Sequence, residues 1–172
     1  MKSISYVLVL VSALGLGCAP EIAFPVTIEA STVIEDGGLV GDVLGQIDFS
    51  GLGNIDFDAS QEFENNNVRK ENIRSLRLSQ ITLEISAPEG ADFNFLETIA
   101  FSASAPGNDT LQVASGTPGN GINAFELVVD DVELAPYATS ERFSIITEGA
   151  GAPPPQDTTV EIGVRFDVVA GL

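Results

Sequence analysis

Histidine and tryptophan are absent from this chain of 172 residues, cysteine and methionine occur once each, and tyrosine twice. Without an imidazole there is no Ser-His-Asp or Cys-His arrangement and no histidine-ligated zinc site. Apart from Lys2, the only lysine is Lys70. Schiff-base or Ser-Lys chemistry would therefore rest on one residue within the polar run Asn67-Val68-Arg69-Lys70-Glu71-Asn72, which reads as a solvated loop. Paired carboxylates could serve a hydrolase acting on glycosides, and 25 acids offer many chance pairs. Sugar sites usually add aromatic platforms, which this chain hardly has. Cations are scarce as well: seven face 25 acids, for a net charge of -18, so the surface repels nucleic acid. The expectation is a protein that is not an enzyme, with no cofactor and no nucleic-acid partner.

The one cysteine, Cys18, closes a short apolar N-terminal run. Lys2 opens the segment, Ile4 to Leu14 carry little polarity beyond Ser5 and Ser12, and Leu14-Gly15-Leu16-Gly17-Cys18-Ala19-Pro20 ends it on small residues. These are the three zones of a secretory signal. The stretch resembles the lipobox of bacterial lipoproteins, with Gly15 standing where a leucine is usual and Leu14 one position further back. The resemblance covers only the leader and the residues just after Cys18. It implies a lipid on the Cys18 thiol, cleavage just before it and acylation of the new amino group. Ala19 rather than Asp after the cysteine implies the outer membrane. Three other readings compete with it. A cut after Gly17 by the ordinary secretory peptidase leaves a free thiol. A cut after Ala19 places Pro20 first, which that peptidase tolerates poorly. A retained helix would need roughly 20 apolar residues to cross the bilayer, more than this run supplies.

The resulting division is a lipoprotein signal peptide over residues 1–17, a lipidated N-terminus with a short tether over 18–23, and one domain over 24–172. All the acids follow Cys18, so losing Lys2 with the leader moves the net charge from -18 to -19. A lipidated Cys18 leaves no disulfide, and packing alone must hold the domain. Its 44% hydrophobic content argues against general disorder.

Hydrophobicity after Cys18 repeats every two residues. Val160, Ile162, Val164, Phe166 and Val168 alternate with Glu161, Gly163, Arg165 and Asp167, the pattern of a strand with one dry and one wet face. A second long strand spans Ile73 to Ser86. Its apolar parity changes between Leu78 and Ile81, so a bulge near Ser79 and Gln80 would keep Leu76, Leu78, Ile81, Leu83 and Ile85 on one face. Further strands are expected over Phe24–Ile34, Val43–Phe49, Glu97–Ala105, Leu111–Ala114, Phe125–Val129 and Arg142–Thr147. Turn-formers separate them, including Pro88-Glu89-Gly90, Pro106-Gly107-Asn108-Asp109 and Gly149 to Pro155. A crossover with one short helix fits Ser60 to Asn72. The fold class is all-β: an antiparallel β-sandwich of about seven to nine strands with at most one short helix. A membrane β-barrel would alternate too, but wants aromatic girdles that this chain lacks.

Two clusters rise above this background. Arg69, Lys70, Arg74 and Arg77 gather four of the six cations that remain after Cys18, and could meet lipid phosphates or an acidic partner. Pairing with Glu62, Glu64, Glu71 and other surface acids is the simpler expectation. Asp56 and Asp58 alternate beside a turn and are weak candidates for a calcium-like cation, although they also fit the wet face of a strand through Ile55 and Phe57. The functional expectation is an exported, lipid-anchored module that binds or scaffolds at a bacterial membrane surface. A protein partner is open, and the membrane is reached through the lipid on Cys18. The alternatives are a carrier holding an apolar ligand between the sheets and a carboxylate-based hydrolase.

Overall fold

The computed structural model describes residues 20–36 and 45–172. Cys18 and the signal peptide lie outside the described residues, as does the start of the strand expected at Val43. The strands are β1 (Glu21–Ile34), β2 (Gly45–Ile47), β3 (Ile73–Ala87), β4 (Leu96–Ser104), β5 (Leu111–Gly116), β6 (Ala124–Glu126), β7 (Val128–Val129), β8 (Ser144–Gly151) and β9 (Thr158–Gly171). They form two antiparallel sheets, ordered β1-β9-β3-β6 and β2-β8-β4-β5-β7. The pairings nest: β4 with β5, β3 with β6, β2 with β8 and β1 with β9. A chain doubled back as one long hairpin and then rolled into two sheets gives this order. The two-residue β7 aside, it is the eight-stranded jelly-roll form of the β-sandwich.

β9 shows why the alternation matters. Val160, Ile162, Val164, Phe166 and Val168 are all buried, while Glu161, Arg165 and Asp167 are exposed. Apolar residues on one parity let a strand join a sheet whose other face stays wet. β9 lies between β1 and β3 and pairs with β1 along its whole length. On β3 the register slips between Leu78 and Gln80, so Ser79 is the extra residue and Leu76, Leu78, Ile81, Leu83 and Ile85 all face inward. β1 is an edge strand, and its free side is blunted. The Ser31 carbonyl, on that side, accepts the Ser50 N–H at 3.4 Å. Pro25 has the same parity, so its missing donor also falls on the open edge.

β1 starts at Glu21, so residues 21–23 of the expected tether belong to the sandwich, and three further elements differ from the pattern read in the sequence. The run Phe125–Val129 is two strands in different sheets: β6 pairs with β3, β7 pairs with β5, and buried Leu127 is the crossing point. β8 continues through Gly149 to Gly151, where a turn was expected. At Gly151 (φ 151°) a Cβ would run into the Phe95 carbonyl, so glycine marks a close approach of two backbones rather than a turn. Among the described residues there are two short α-helices, α1 (Gln61–Asn65) and α2 (Ala135–Ala138), rather than at most one. α2 carries no apolar stripe to announce it. It starts at Ala135-Pro136, where proline is pre-set for a first turn, and Glu133 accepts the Ala135 N–H at 3.0 Å.

α1 falls in the expected crossover. The Ser60 hydroxyl accepts the Phe63 N–H at 3.3 Å and caps its start. Asn67, in the left-handed region at φ 52°, ends it. Its N–H donates to the Glu64 carbonyl and that of Val68 to the Phe63 carbonyl, with Phe63 and Val68 both buried: a Schellman cap with its hydrophobic contact. Phenylalanines fill the space between the sheets. Phe57 lies 5.6 Å from Phe63, 5.8 Å from Phe143 and 5.6 Å from Phe166, ring centre to ring centre. Near the opposite end, Phe93 packs edge-on to Phe125 at 5.0 Å.

Candidate functional site

The cation cluster sits where the sandwich begins. Ile22 on β1, Ala170 on β9 and Ile73 on β3 are aligned across the sheet, and the Leu172 N–H donates to the Pro20 carbonyl at 3.0 Å. Arg74 lies against Gly171, close enough that a Cβ there would stand 3.1 Å from its Nε. A one-turn 3-10 helix, Lys70–Asn72, leads into β3. Lys70 is half-buried rather than fully solvated, with Nζ donating to the Ser140 carbonyl at 3.2 Å. Arg69 and Arg74 are exposed.

Arg77 stands further along β3, and its environment differs. Its guanidinium pairs with Asp131 and, at 3.8 Å, with Glu133. Glu62, Glu64 and Glu71 are not its partners. Among the described residues Arg69, Lys70 and Arg74 form no ion pair. Glu133 also accepts the Leu76 N–H at 2.7 Å, the Ser75 hydroxyl at 2.7 Å and the Ala135 N–H. Partial burial pushes the Glu133 carboxyl up. The Leu76, Ser75 and Ala135 donors, with Arg77, outweigh burial and hold it below the usual carboxylate range. Glu133 was not singled out in the sequence, where nothing links it to a strand more than fifty residues earlier.

Asp56 and Asp58 perform separate local tasks. Asp56 accepts the Asp58 N–H at 3.1 Å and caps the 3-10 turn Phe57–Ala59; Asp58 accepts the Lys70 N–H at 2.7 Å. Among the described residues no group of three acidic side chains is placed to hold a metal ion.

A second feature lies on the outer face of the β1-β9-β3-β6 sheet. Gly163 leaves a shallow depression there, bordered by Thr82, Ser31, Ser50 and the exposed carboxylates of Glu29, Glu84 and Glu161. Glu84 and Glu161 are direct cross-strand partners, and Gly163 lies between Glu29 and Thr82. Like charges opposite one another cost stability, which favours whatever screens them. The face is open to water, so nothing there creates the dry surroundings in which carboxylates act as strong acid-base catalysts. These acids are the wet alternates of recognised strands. Knowing which strands adjoin was the missing signal.

The class of protein this defines is an antiparallel jelly-roll β-sandwich with an acidic sheet face and a cation-bearing end. No protein-family model matches the chain, and no curated protein does. Among solved structures it is similar to the crystal structure of decameric BFDV capsid protein, at 14% identity over 89% of this chain and 100% of that one, with a TM-score of 0.39. So loose a likeness carries no argument about function, and the fold rests on the strand pairings above.

Proposed function

We propose that this protein is an exported, lipid-anchored β-sandwich lipoprotein that binds or scaffolds at a bacterial membrane surface, the outer membrane. The observation that carries the reading is Cys18 at the end of its apolar run, with only Ala19 and Pro20 before β1. Two residues reach about 7 Å, so the anchored sandwich rests against the leaflet without a stalk. Each buried methylene of the lipid adds about 0.8 kcal/mol, and two or three chains give lasting attachment. Among the described residues no helix is long and apolar enough to cross a membrane. The ring clusters between the sheets favour scaffolding over the carriage of an apolar ligand. The open acidic face favours binding over hydrolysis.

Replacing Cys18 with Ser is the direct test, because a hydroxyl is a far poorer nucleophile than a thiol. The expected outcome is loss of labelled fatty acid and an uncut leader, read by mass spectrometry. Fatty-acid incorporation into Cys18→Ser, or a mature wild-type protein that partitions into water, would overturn the proposal.

A further inference from the structure

The two ends of the sandwich carry opposite charge characters. Arg69, Lys70 and Arg74 cluster at the end where β1 starts, and Arg142 follows Ser140, whose carbonyl holds Lys70. At the other end Ile34 pairs with Thr158 and Ala87 with Thr159. The turns there present Glu35, Asp36, Glu89, Asp92 and Asp157, and no cation among the described residues. The ends are separated by the 14 residues of β1, or ~45 Å.

We infer that Arg69, Lys70 and Arg74 dock this end on the phosphates of anionic lipid headgroups and hold the sandwich upright on the membrane, acidic end outward. The inference rests on the lipid-anchor reading, which brings β1's start to the leaflet, and adds what sets the orientation. Glu21, Asp58, Glu62, Glu64, Glu71, Asp109 and Glu141 share the cation-bearing end, so what orients the molecule is the difference between its ends, one with cations among its acids and one with acids alone. Upright, the far acids stand several screening lengths from the headgroups, at about 10 Å per length in 0.1 M salt. Lying on the β1-β9-β3-β6 face would press Glu29, Glu84, Glu126 and Glu161 against phosphate, and beyond Arg74 at its end the cations of that face are already engaged, Arg77 by Asp131 and Glu133 and Arg165 by Asp167. Among the described residues the strands of the other sheet offer exposed Glu97 and Glu148 and no cation.

Depth-dependent quenching on the full lipidated chain tests this. Glu71→Cys and Glu89→Cys place one label at each end and remove one acid apiece, so the pair is charge-matched; Cys18 is blocked by its lipid. In vesicles of equal parts phosphatidylcholine and phosphatidylglycerol carrying a headgroup-attached quencher, the label at 71 should be strongly quenched and that at 89 hardly at all. Combined Arg69→Gln, Lys70→Gln and Arg74→Gln, shown by thermal unfolding to remain folded, should abolish the difference, as should molar salt. Equal quenching of the two labels, or a difference that survives both the triple substitution and salt, would overturn the orientation. Flotation is read in every arm. Protein that fails to float with the vesicles removes the anchor and this inference together, whereas protein that floats with equal quenching overturns the inference alone.

Discussion

Val164 and Arg165 are neighbours in sequence and face opposite surroundings. Val164 is fully buried between Ile28 and Ile81 on the flanking strands, whereas Arg165 is exposed and stands 3.8 Å from Asp167. Val164→Asp places a charge without a partner in the core, at a cost above about 4 kcal/mol. Against a total stability of about 5–15 kcal/mol that change should unfold or severely destabilise the domain. Arg165→Ala removes one exposed ion pair and should shift stability by less than about 0.5 kcal/mol. Urea denaturation followed by circular dichroism compares them, and equal tolerance would mean that alternation does not sort the faces of β9.

At the scale of elements, Glu133 joins α2 to β3. It receives the N–H groups of Leu76 and Ala135 and the Ser75 hydroxyl, and stands beside Arg77. Its carboxyl titrates lower in the folded chain than in the unfolded one. The stabilisation is therefore complete above the unfolded value of about 4.3 and is lost as pH falls through the lower folded value. Glu133→Gln keeps an acceptor oxygen and removes the charge. It should lower the urea midpoint at pH 7 by the equivalent of about 1 kcal/mol, the size of a helix-cap effect. The side chain is 39% exposed, so salt should shrink that loss. The gap to wild type should close in acid, and a gap unchanged from pH 7 to pH 3 would show that the charge is not what secures α2.

Across the whole molecule, excess negative charge opposes compactness. The Glu84–Glu161 pair and nearby Glu29 place that repulsion on one sheet face. Calcium and magnesium should each raise the melting temperature of the chain lacking residues 1–18 by about 2–4 °C, or about 1 kcal/mol at this chain length. The effect should be similar for the two ions and of millimolar affinity at best, because it arises from screening. Asp56 and Asp58 each already accept a backbone N–H, and together they offer no third carboxylate. A single saturable calcium site of micromolar affinity, lost in the Asp56→Asn, Asp58→Asn double variant by calorimetry, would overturn the screening account.

What the sequence by itself determined is local. The dry parity of β9 and the parity change that places the bulge at Ser79 both follow from side-chain alternation within a few residues. The all-β sandwich was legible for that reason. Tertiary structure alone decided which strands adjoin. Phe125–Val129 reads as one apolar run, but Leu127 is buried where the chain passes from one sheet to the other. Gly149 to Gly151 reads as a turn, but pairs with β4 as the end of β8, and at Gly151 the Phe95 backbone comes too close for a side chain. The candidate surfaces followed the same division. The cation cluster was visible in sequence, yet Arg77 belongs with Asp131 and Glu133, and the depression at Gly163 draws on β1, β3 and β9. Alternation says which residues face water. Only the packing of the inward faces sets the register that brings particular wet residues together.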